Sequence, residues 1–327
     1  MSTHAIEVVE VGELRSHPNA DKLSLIDIWG WQCCVGKEQF RAGQKAAYIP
    51  PDYLVPTDRA EFAFLHKEGR VKQRITVRRF RGQLSQGLLI PLPESLSDRA
   101  VGENVMEALG IERYEPEQDI RTGGNFVSAP SGLYCPKFDV ESLQRYVSLF
   151  TDGEPVVVTE KLHGANARFV YSGGQQYCGS RTNWMADDDK NVWWKAFRNH
   201  QSIGEWCQSN PDLILYGEVF GQVQSLKYGA GKNDIFFAAF AVLDHQRWMD
   251  YEEMLVSLSS RQVPMAPLVY RGPFDLAAIK EMAEQDSRWQ GANHLSEGVV
   301  VVPEKERWDE SIGRVCLKVV SNRYLES

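Results

Sequence analysis

Val156-Val157-Val158-Thr159-Glu160-Lys161-Leu162-His163-Gly164-Ala165-Asn166 runs an unbroken apolar stretch into a lysine and then a glycine. A short β-branched run is a strand signature, and Gly164 permits a sharp turn behind it. The strand therefore delivers Lys161 to its end. Such a lysine is a nucleophile if its amine is kept neutral, which burial or a neighbouring cation achieves by lowering its pKa. Taken alone, K-x-x-G is a weak signal, and an exposed strand-end lysine is its commoner reading. Four later clusters add to it. Ser180-Arg181 follows a strand, Leu215-Tyr216-Gly217-Glu218 sets a carboxylate after one, Ser296-Glu297-Gly298-Val299-Val300 sets a carboxylate before one, and Leu317-Lys318-Val319-Val320 sets a lysine within one. Each has a plain surface reading. Together they supply a nucleophile, two carboxylates suited to Mg²⁺ or a ribose, and cations for a triphosphate, the set that nucleotidyl transfer needs.

Outward from this segment, the chain of 327 residues suggests two domains at roughly 150 residues each. Its 43% hydrophobic and 24% charged residues are ordinary for a globular protein. No apolar run approaches the roughly 18 residues of a membrane span, and residues 1–10 hold Glu7 and Glu10 with no apolar signal core. The six cysteines show no CxxC spacing, which disfavours a zinc site and fits a reduced, cytoplasmic protein.

The first hundred residues read as short strands near 6–14, 23–29, 32–36, 45–49, 75–80 and 87–91, a pattern expected of a small barrel of OB or SH3-like type. The stretch 116–136 is rich in Pro, Gly, Ser and Asp, a linker composition. From about 150 onward strands alternate with helical periodicity at 192–207, 248–258 and 276–283, the last begun by the N-cap Asp275. Trp193 and Trp194 fall on the first of these helices, where packing is the simpler reading. The expected fold class is α+β: an N-terminal OB-like β-barrel followed by an antiparallel-sheet domain.

The net charge of −8 conceals an asymmetry. Residues 66–81 hold seven lysines and arginines against Glu68 alone, a charge of +6, so the remainder carries −14. Ile75–Phe80 reads as a strand that mixes apolar with basic side chains, and Lys72, Arg74, Arg78, Arg79 and Arg81 are the candidate nucleic-acid contacts. They are either a nucleic-acid contact strip, with Phe80 placed to stack on a base, or a solvated strand face.

The ordered set EKLHGAN (160–166), Arg181, Glu218, the aromatic run Phe237-Ala238-Ala239-Phe240, EGVV (297–300) and Lys318 resembles the covalent nucleotidyltransferases, the polynucleotide ligases and mRNA capping enzymes. The K-x-H-G form, with Glu before and Asn after, is similar to RNA ligases rather than DNA ligases. His17-Pro18-Asn19-Ala20-Asp21-Lys22-Leu23 and Ser85-Gln86-Gly87-Leu88 resemble OB domains of tRNA-binding proteins and the RNA-ligase branch that sets an OB module ahead of the catalytic domain. Only nine residues follow Lys318, where DNA ligases and capping enzymes usually carry their OB domain.

The resemblance implies residues 1–110 as an OB-like RNA-binding domain, 111–140 as a linker and 141–327 as a nucleotidyltransferase (ligase adenylation) domain. It implies an ATP-dependent RNA ligase, a monomer with no membrane partner, sealing 3′-OH and 5′-phosphate ends of RNA such as nicks in duplexes. Lys161 would attack the ATP α-phosphorus and hold AMP, with Lys318 on the α-phosphate lowering the pKa of Lys161. Glu160 would lie beside adenine and Phe237 would stack on it. Arg181 would bind ribose or RNA phosphate, and Glu218 the ribose or a metal. Glu297 would organise Mg²⁺ or Mn²⁺. His163 and Asn166 would serve later steps or orient phosphate. Two departures stand out: Cys316 occupies the first lysine position of the usual K-x-K, and Ala241 follows the aromatic run where an acid is common. The alternatives are a GTP-dependent capping-type enzyme and an RNA-binding protein whose nucleotidyltransferase domain is degenerate.

Overall fold

The computed structural model describes residues 5–114 and 125–326. The chain divides into two compact units, a smaller one within Thr3–Glu117 together with Leu325–Ser327 and a larger one within Gln118–Tyr324. Part of the expected linker, 115–124, lies outside the described residues.

The centre of the smaller unit is an antiparallel sheet in which Lys45–Ile49 lies between Glu7–Glu10 and Leu88–Pro91. Side chains alternate across a strand, and here both faces are apolar and covered. Val8, Ala47, Ile49 and Ile90 join one buried cluster, whereas Val9, Ala46, Tyr48 and Leu89 join another. Three further sheets surround it: Arg15–Ser16, Leu23–Ile28 and Trp31–Gly36; Glu112–Arg113, Tyr53–Pro56 and Lys72–Arg74; and the hairpin of Val77–Phe80 with Gln83–Gln86.

The expected β-barrel is therefore not formed: the unit is OB-like, but no sheet closes on itself. The physical reason lies at the seam between Trp31–Gly36 and Gln83–Gln86. Side chains stand in for the backbone ladder there. Gln32 N–H donates to Gln86 Oε1 at 3.1 Å, Cys34 N–H to Ser85 Oγ at 3.0 Å and Gln32 Nε2 to the Leu84 carbonyl at 2.9 Å. The basic run is also divided. Lys72–Arg74 and Val77–Phe80 belong to different sheets. The hairpin turn has positive φ at both Arg81 (46°) and Gly82 (91°), the geometry that matches strand twist in a two-residue hairpin. His17 Nε2 meets the Phe80 carbonyl at 2.9 Å and Asn19 Nδ2 donates to that of Arg81 at 3.0 Å, so the His17-Pro18-Asn19 loop fastens this turn.

Among its described residues the larger unit holds two large sheets and a small antiparallel pair of Trp308–Asp309 with Gly313–Arg314. One has seven strands, in the order Phe126–Val127, Trp184–Met185, Gln175–Gly179, Ala165–Ser172, Ile214–Gly221, Ile235–Asp244, Arg247–Trp248. The other has five: Glu141–Ser142, Leu317–Val320, Gly298–Pro303, Pro155–Glu160, Leu268–Pro273. The expectation of wholly antiparallel pairing needs one amendment, since Glu141–Ser142 runs parallel to Leu317–Val320. Helices Val192–Asn199 and Gln201–Ser209 bury Trp193, Trp194 and Trp206 in a cluster with Phe169, Phe237 and Leu215. Asn191 caps the first by accepting from Trp194 N–H at 2.9 Å, and Asp275 caps Leu276–Ala283 through Ala278 N–H at 3.0 Å.

Two glycines set the close approach of strands at the end of Pro155–Glu160. A Cβ on Gly164 would lie 2.2 Å from the Val219 carbonyl oxygen. Gly298 has φ +145°, and a Cβ there would lie 2.1 Å from the Val319 oxygen. Neither neighbour is a flexible side chain, so relief requires backbone movement. Gly164→Ala is accordingly expected to destabilise the protein by about 1–3 kcal/mol, read as a fall of several degrees in Tm. An unchanged melting curve would contradict this packing.

Candidate active site

Strand Pro155–Glu160 is bonded on one side to Gly298–Pro303, and Lys161 continues that register by donating its N–H to the Gly298 carbonyl at 2.9 Å. This brings Lys161 beside Glu297, the residue preceding that strand. Lys161 Nζ lies 2.6 Å from Glu297 Oε1, and His163 Nδ1 lies 3.4 Å from Oε2. Glu218 arrives from the other sheet, where Ala165–Ser172 pairs with Ile214–Gly221 and sets Asn166 opposite Glu218. Three sequence-separated segments thus converge on one lysine, one imidazole and two carboxylates.

The electrostatics separate the two acids. Burial pushes the Glu218 carboxyl up to about 8; the Lys161 ammonium offsets part of this, while the Glu297 charge adds to it. Burial acts in the same direction on Glu297, but Lys161 and His163 outweigh it and hold that carboxyl at about 2. Glu297 is therefore the ionised partner of Lys161, and Glu218 carries a proton near neutrality until a cation meets it. Among the described residues no group of three or more His, Cys, Asp or Glu is placed to hold a metal. The two carboxylates nevertheless fit a divalent cation delivered with a triphosphate. Mg²⁺ takes one or two carboxylates alongside phosphate oxygens and water, and Glu297 Oε2 is buried without a hydrogen bond.

A cavity of about 690 Å³, its open mouth included, lies against this cluster, within the size range of small-molecule sites. Thr159, Glu160, Lys161, Val300, Val302 and Cys316 line it from the five-stranded sheet or its edges, and Asn166, Glu218 and Phe240 from the seven-stranded one. Asn166 has a buried, unpartnered Oδ1, and its carbonyl is held by Trp193 Nε1 at 3.0 Å.

The structure places the other sequence-selected residues as follows. Phe237 is fully buried, edge-on to Phe169 at 5.1 Å, and is not among the cavity's lining residues. The ring that faces the cavity is Phe240. Between Ile214–Gly221 and Ile235–Asp244 the register passes from Gly217↔Ala239 to Tyr216↔Ala241, so Phe240 is the extra residue of a bulge, a device that re-aims a side chain. Glu160 lines the cavity, but its carboxylate is engaged elsewhere, accepting from Ser287 Oγ at 2.6 Å and Arg288 N–H at 2.7 Å. Lys318 sits opposite Val300 in the sheet, and neither it nor Arg181 lines the cavity. Arg181 is exposed and paired with Asp139. Cys316 is buried, and burial pushes its thiol to about 12, so it is an uncharged wall.

Sequence reasoning missed the residues around His163. Tyr228 OH accepts from His163 N–H at 2.7 Å, Ser225 Oγ lies 3.2 Å from Nε2 and Tyr324 OH 3.4 Å from Nδ1. They lie on segments without a motif, and only the fold brings them in.

In the smaller unit Lys72 pairs with Glu112 and Arg74 with Asp52, both at 2.6 Å, and Arg74 lies 4.0 Å over the Tyr114 ring. Arg78, Arg79, Phe80 and Arg81 are exposed on the fastened hairpin.

The acid pair gives opposite pH signatures. Glu218, raised from 4.5 to about 8, contributes stability that is full below pH 4.5 and lost as pH rises through 8. Glu297, lowered to about 2, contributes stability that is present above pH 4.5 and lost as pH falls towards 2. The denaturation midpoint of Glu218→Gln is expected to fall less between pH 5 and 8 than that of the unsubstituted protein; parallel profiles would refute the assignment.

The comparisons with known proteins agree with this geometry. No curated protein matches the chain. Among solved structures, an RNA ligase from Naegleria gruberi with ATP and Mn bound superposes with a TM-score of 0.85 at 24% identity, covering 99% of this chain and 98% of that one. An apo form of a variant of that ligase gives 0.82 at 25% identity over 100% and 98%, and a form with pyrophosphate 0.81 at 24% over 99% and 98%. An OB-fold domain model matches residues 5–92. The RNA ligase family model matches residues 154–320, just over half of the sequence and the whole of the cluster built above. The chain belongs to the RNA ligase family.

Proposed function

We infer that the protein is an ATP-dependent RNA ligase that joins a 3′-OH to a 5′-phosphate, with Lys161 as its covalent carrier. The observation that carries this reading is the contact of Lys161 with Glu297 at 2.6 Å beside a cavity that also receives Glu218. The binding of ATP and Mn by the Naegleria ligase supports the choice of cofactors.

In the first step the Lys161 amine, once deprotonated, forms an N–P bond to the α-phosphorus and pyrophosphate leaves. A 5′-phosphate oxygen of RNA then takes the AMP, returning the amine. Finally a 3′-OH attacks that 5′-phosphorus, the phosphodiester forms and AMP departs. Glu297 holds and orients the ammonium of Lys161 between turnovers. Glu218 and Glu297 would hold Mg²⁺ or Mn²⁺, which supplies charge neutralisation at the phosphates. Asn166 offers the phosphates or ribose a side chain with an unpartnered oxygen, and Lys318 and Arg181 are assigned to phosphate by family resemblance. The purine lies between Phe240 and Val300, which line the cavity from the two sheets.

We further assign RNA contact to the smaller unit and catalysis to the larger; of the expected linker 111–140, Glu112–Arg113 pairs within the smaller unit and Phe126–Val127 within the larger. Arg78 and Arg81 are the leading phosphate contacts, and Lys72, Arg74 and Arg79 contribute less because Glu112, Asp52 and Glu326 neutralise them. Among the described residues no helix is long and apolar enough to cross a membrane. The six free cysteines support a reducing, cytoplasmic setting, and one chain carries the full set of groups, as a monomer requires.

Incubation with α-labelled ATP and Mg²⁺ is expected to label the protein covalently, the label being released by added pyrophosphate. Lys161→Ala should abolish labelling, and Glu297→Ala or Glu218→Ala should slow it by about a hundredfold or more. Label from GTP alone would favour the capping-type alternative, and no label from either nucleotide would favour a binding protein. For RNA, the Arg78→Ala, Arg81→Ala pair is expected to lower the slope of log affinity against log salt by roughly 1.5 on single strands. A slope equal to that of the unsubstituted protein would remove the hairpin from the interface.

A further inference from the structure

Arg314 lines the same cavity as Lys161 but has no part in the scheme above. Its side chain is about nine-tenths buried. One edge of the guanidinium is committed to Glu306, with Nε donating to Oε2 at 2.8 Å and Nη2 to Oε1. Its Cζ lies 4.5 Å from the Trp248 ring centroid and 5.0 Å from that of Phe138. The remaining nitrogen, Nη1, is buried and has no hydrogen-bond partner. A buried donor without an acceptor carries a desolvation cost that an occupant able to accept would relieve.

The surroundings define that occupant's chemistry. The Arg314–Glu306 pair is neutral as a unit, so this end of the cavity presents a donor without a net cation. The neighbouring walls are Phe138, Phe240, Val300, Val302 and the uncharged Cys316. Apolar walls with aromatic rings and one fixed donor suit a heteroaromatic base better than a triphosphate, which needs uncompensated positive charge.

We propose that Arg314 is a base-reading residue, its Nη1–H donating to a ring nitrogen of the purine of the bound nucleotide. Adenine offers N1, N3 and N7 as acceptors. Guanine carries a hydrogen on N1, so a donor facing that edge rejects it. The inference rests on the ligase reading above and assigns the base end of that same site.

The test compares ATP with 1-deaza-, 3-deaza- and 7-deaza-ATP by equilibrium titration of full-length Lys161→Met protein, with and without Arg314→Met. One of the three analogues is expected to bind about tenfold or more weakly than ATP, and Arg314→Met should bind that analogue and ATP alike. A merely structural role for Arg314 would weaken all four ligands in proportion and leave the ratio intact, which overturns the proposal. Equal binding of all four ligands with Arg314 in place overturns it too. Should Arg314→Met not fold, Arg314→Lys keeps a cation for Glu306 without the guanidinium fork, and the same ratios decide. Labelling of Lys161 by ATP alongside indifferent analogues would sink this inference alone, whereas failure of ATP both to bind and to label would sink the ligase reading and this inference together.

Discussion

The contact between Lys161 and Glu297 is the constraint to which the rest of the catalytic unit is fitted. An ammonium and a carboxylate in an enclosed place stabilise one another only while both remain charged and close. The protein meets that condition with backbone rather than with long flexible side chains. Lys161 N–H is tied to the Gly298 carbonyl, Glu297 precedes that glycine, and the Glu297 carbonyl accepts from Ser321 N–H at 2.9 Å. The two charges are thus borne by neighbouring positions of one sheet, and the turn at Gly164 hands the chain across to the other.

The second acid completes an uneven balance. Two carboxylates share the neighbourhood of one lysine, and the pair cannot both ionise at low cost. The site resolves this by leaving Glu218 protonated and Glu297 charged, with His163 on the far side of Glu297. Such an arrangement stores a readiness to accept positive charge, which is what a nucleotide arriving with a cation provides. His163 in turn is steadied through its backbone by Tyr228, whose own N–H donates to His294 Nε2 at 3.1 Å. The site is therefore supported by side chains from two loops, those of Ser225 and Tyr228 and of His294, and by Tyr324 of the helix Asn322–Glu326.

Legibility in the sequence followed a physical boundary. A strand end, a following glycine and a carboxylate adjoining an apolar run are local features, so Lys161, Glu218 and Glu297 could be singled out as candidates, and the fold brings them together. The choice between Phe237 and Phe240 depends on a bulge in the pairing with Gly217, and nothing within the run itself reveals a register shift made with another strand. Arg314 lay beneath notice for the same reason, since Trp248 and Phe138 come from distant parts of the chain and Glu306 meets it only across the pairing of Trp308–Asp309 with Gly313–Arg314. In the smaller unit the strands were legible but the closure was not. Whether edges join by backbone ladder or through side chains such as Ser85 and Gln86 is decided between segments some fifty residues apart.

The central sheet of that smaller unit also fixes the order in which it can be built. Lys45–Ile49 takes its partners from about forty residues upstream and about forty downstream. Contacts so far apart must await both ends, which slows folding relative to hairpin-rich topologies. During synthesis from the N-terminus, Ala46-Ala47-Tyr48-Ile49 has an unpaired edge until Leu88–Pro91 is made, and the face of Ala47 and Ile49 is completed only with Leu96, Val105, Leu109 and Ile111. An open edge of that kind is a template for pairing with another chain. The nascent protein is consequently most exposed to aggregation between the making of residues 49 and 111, before any described part of its catalytic unit exists.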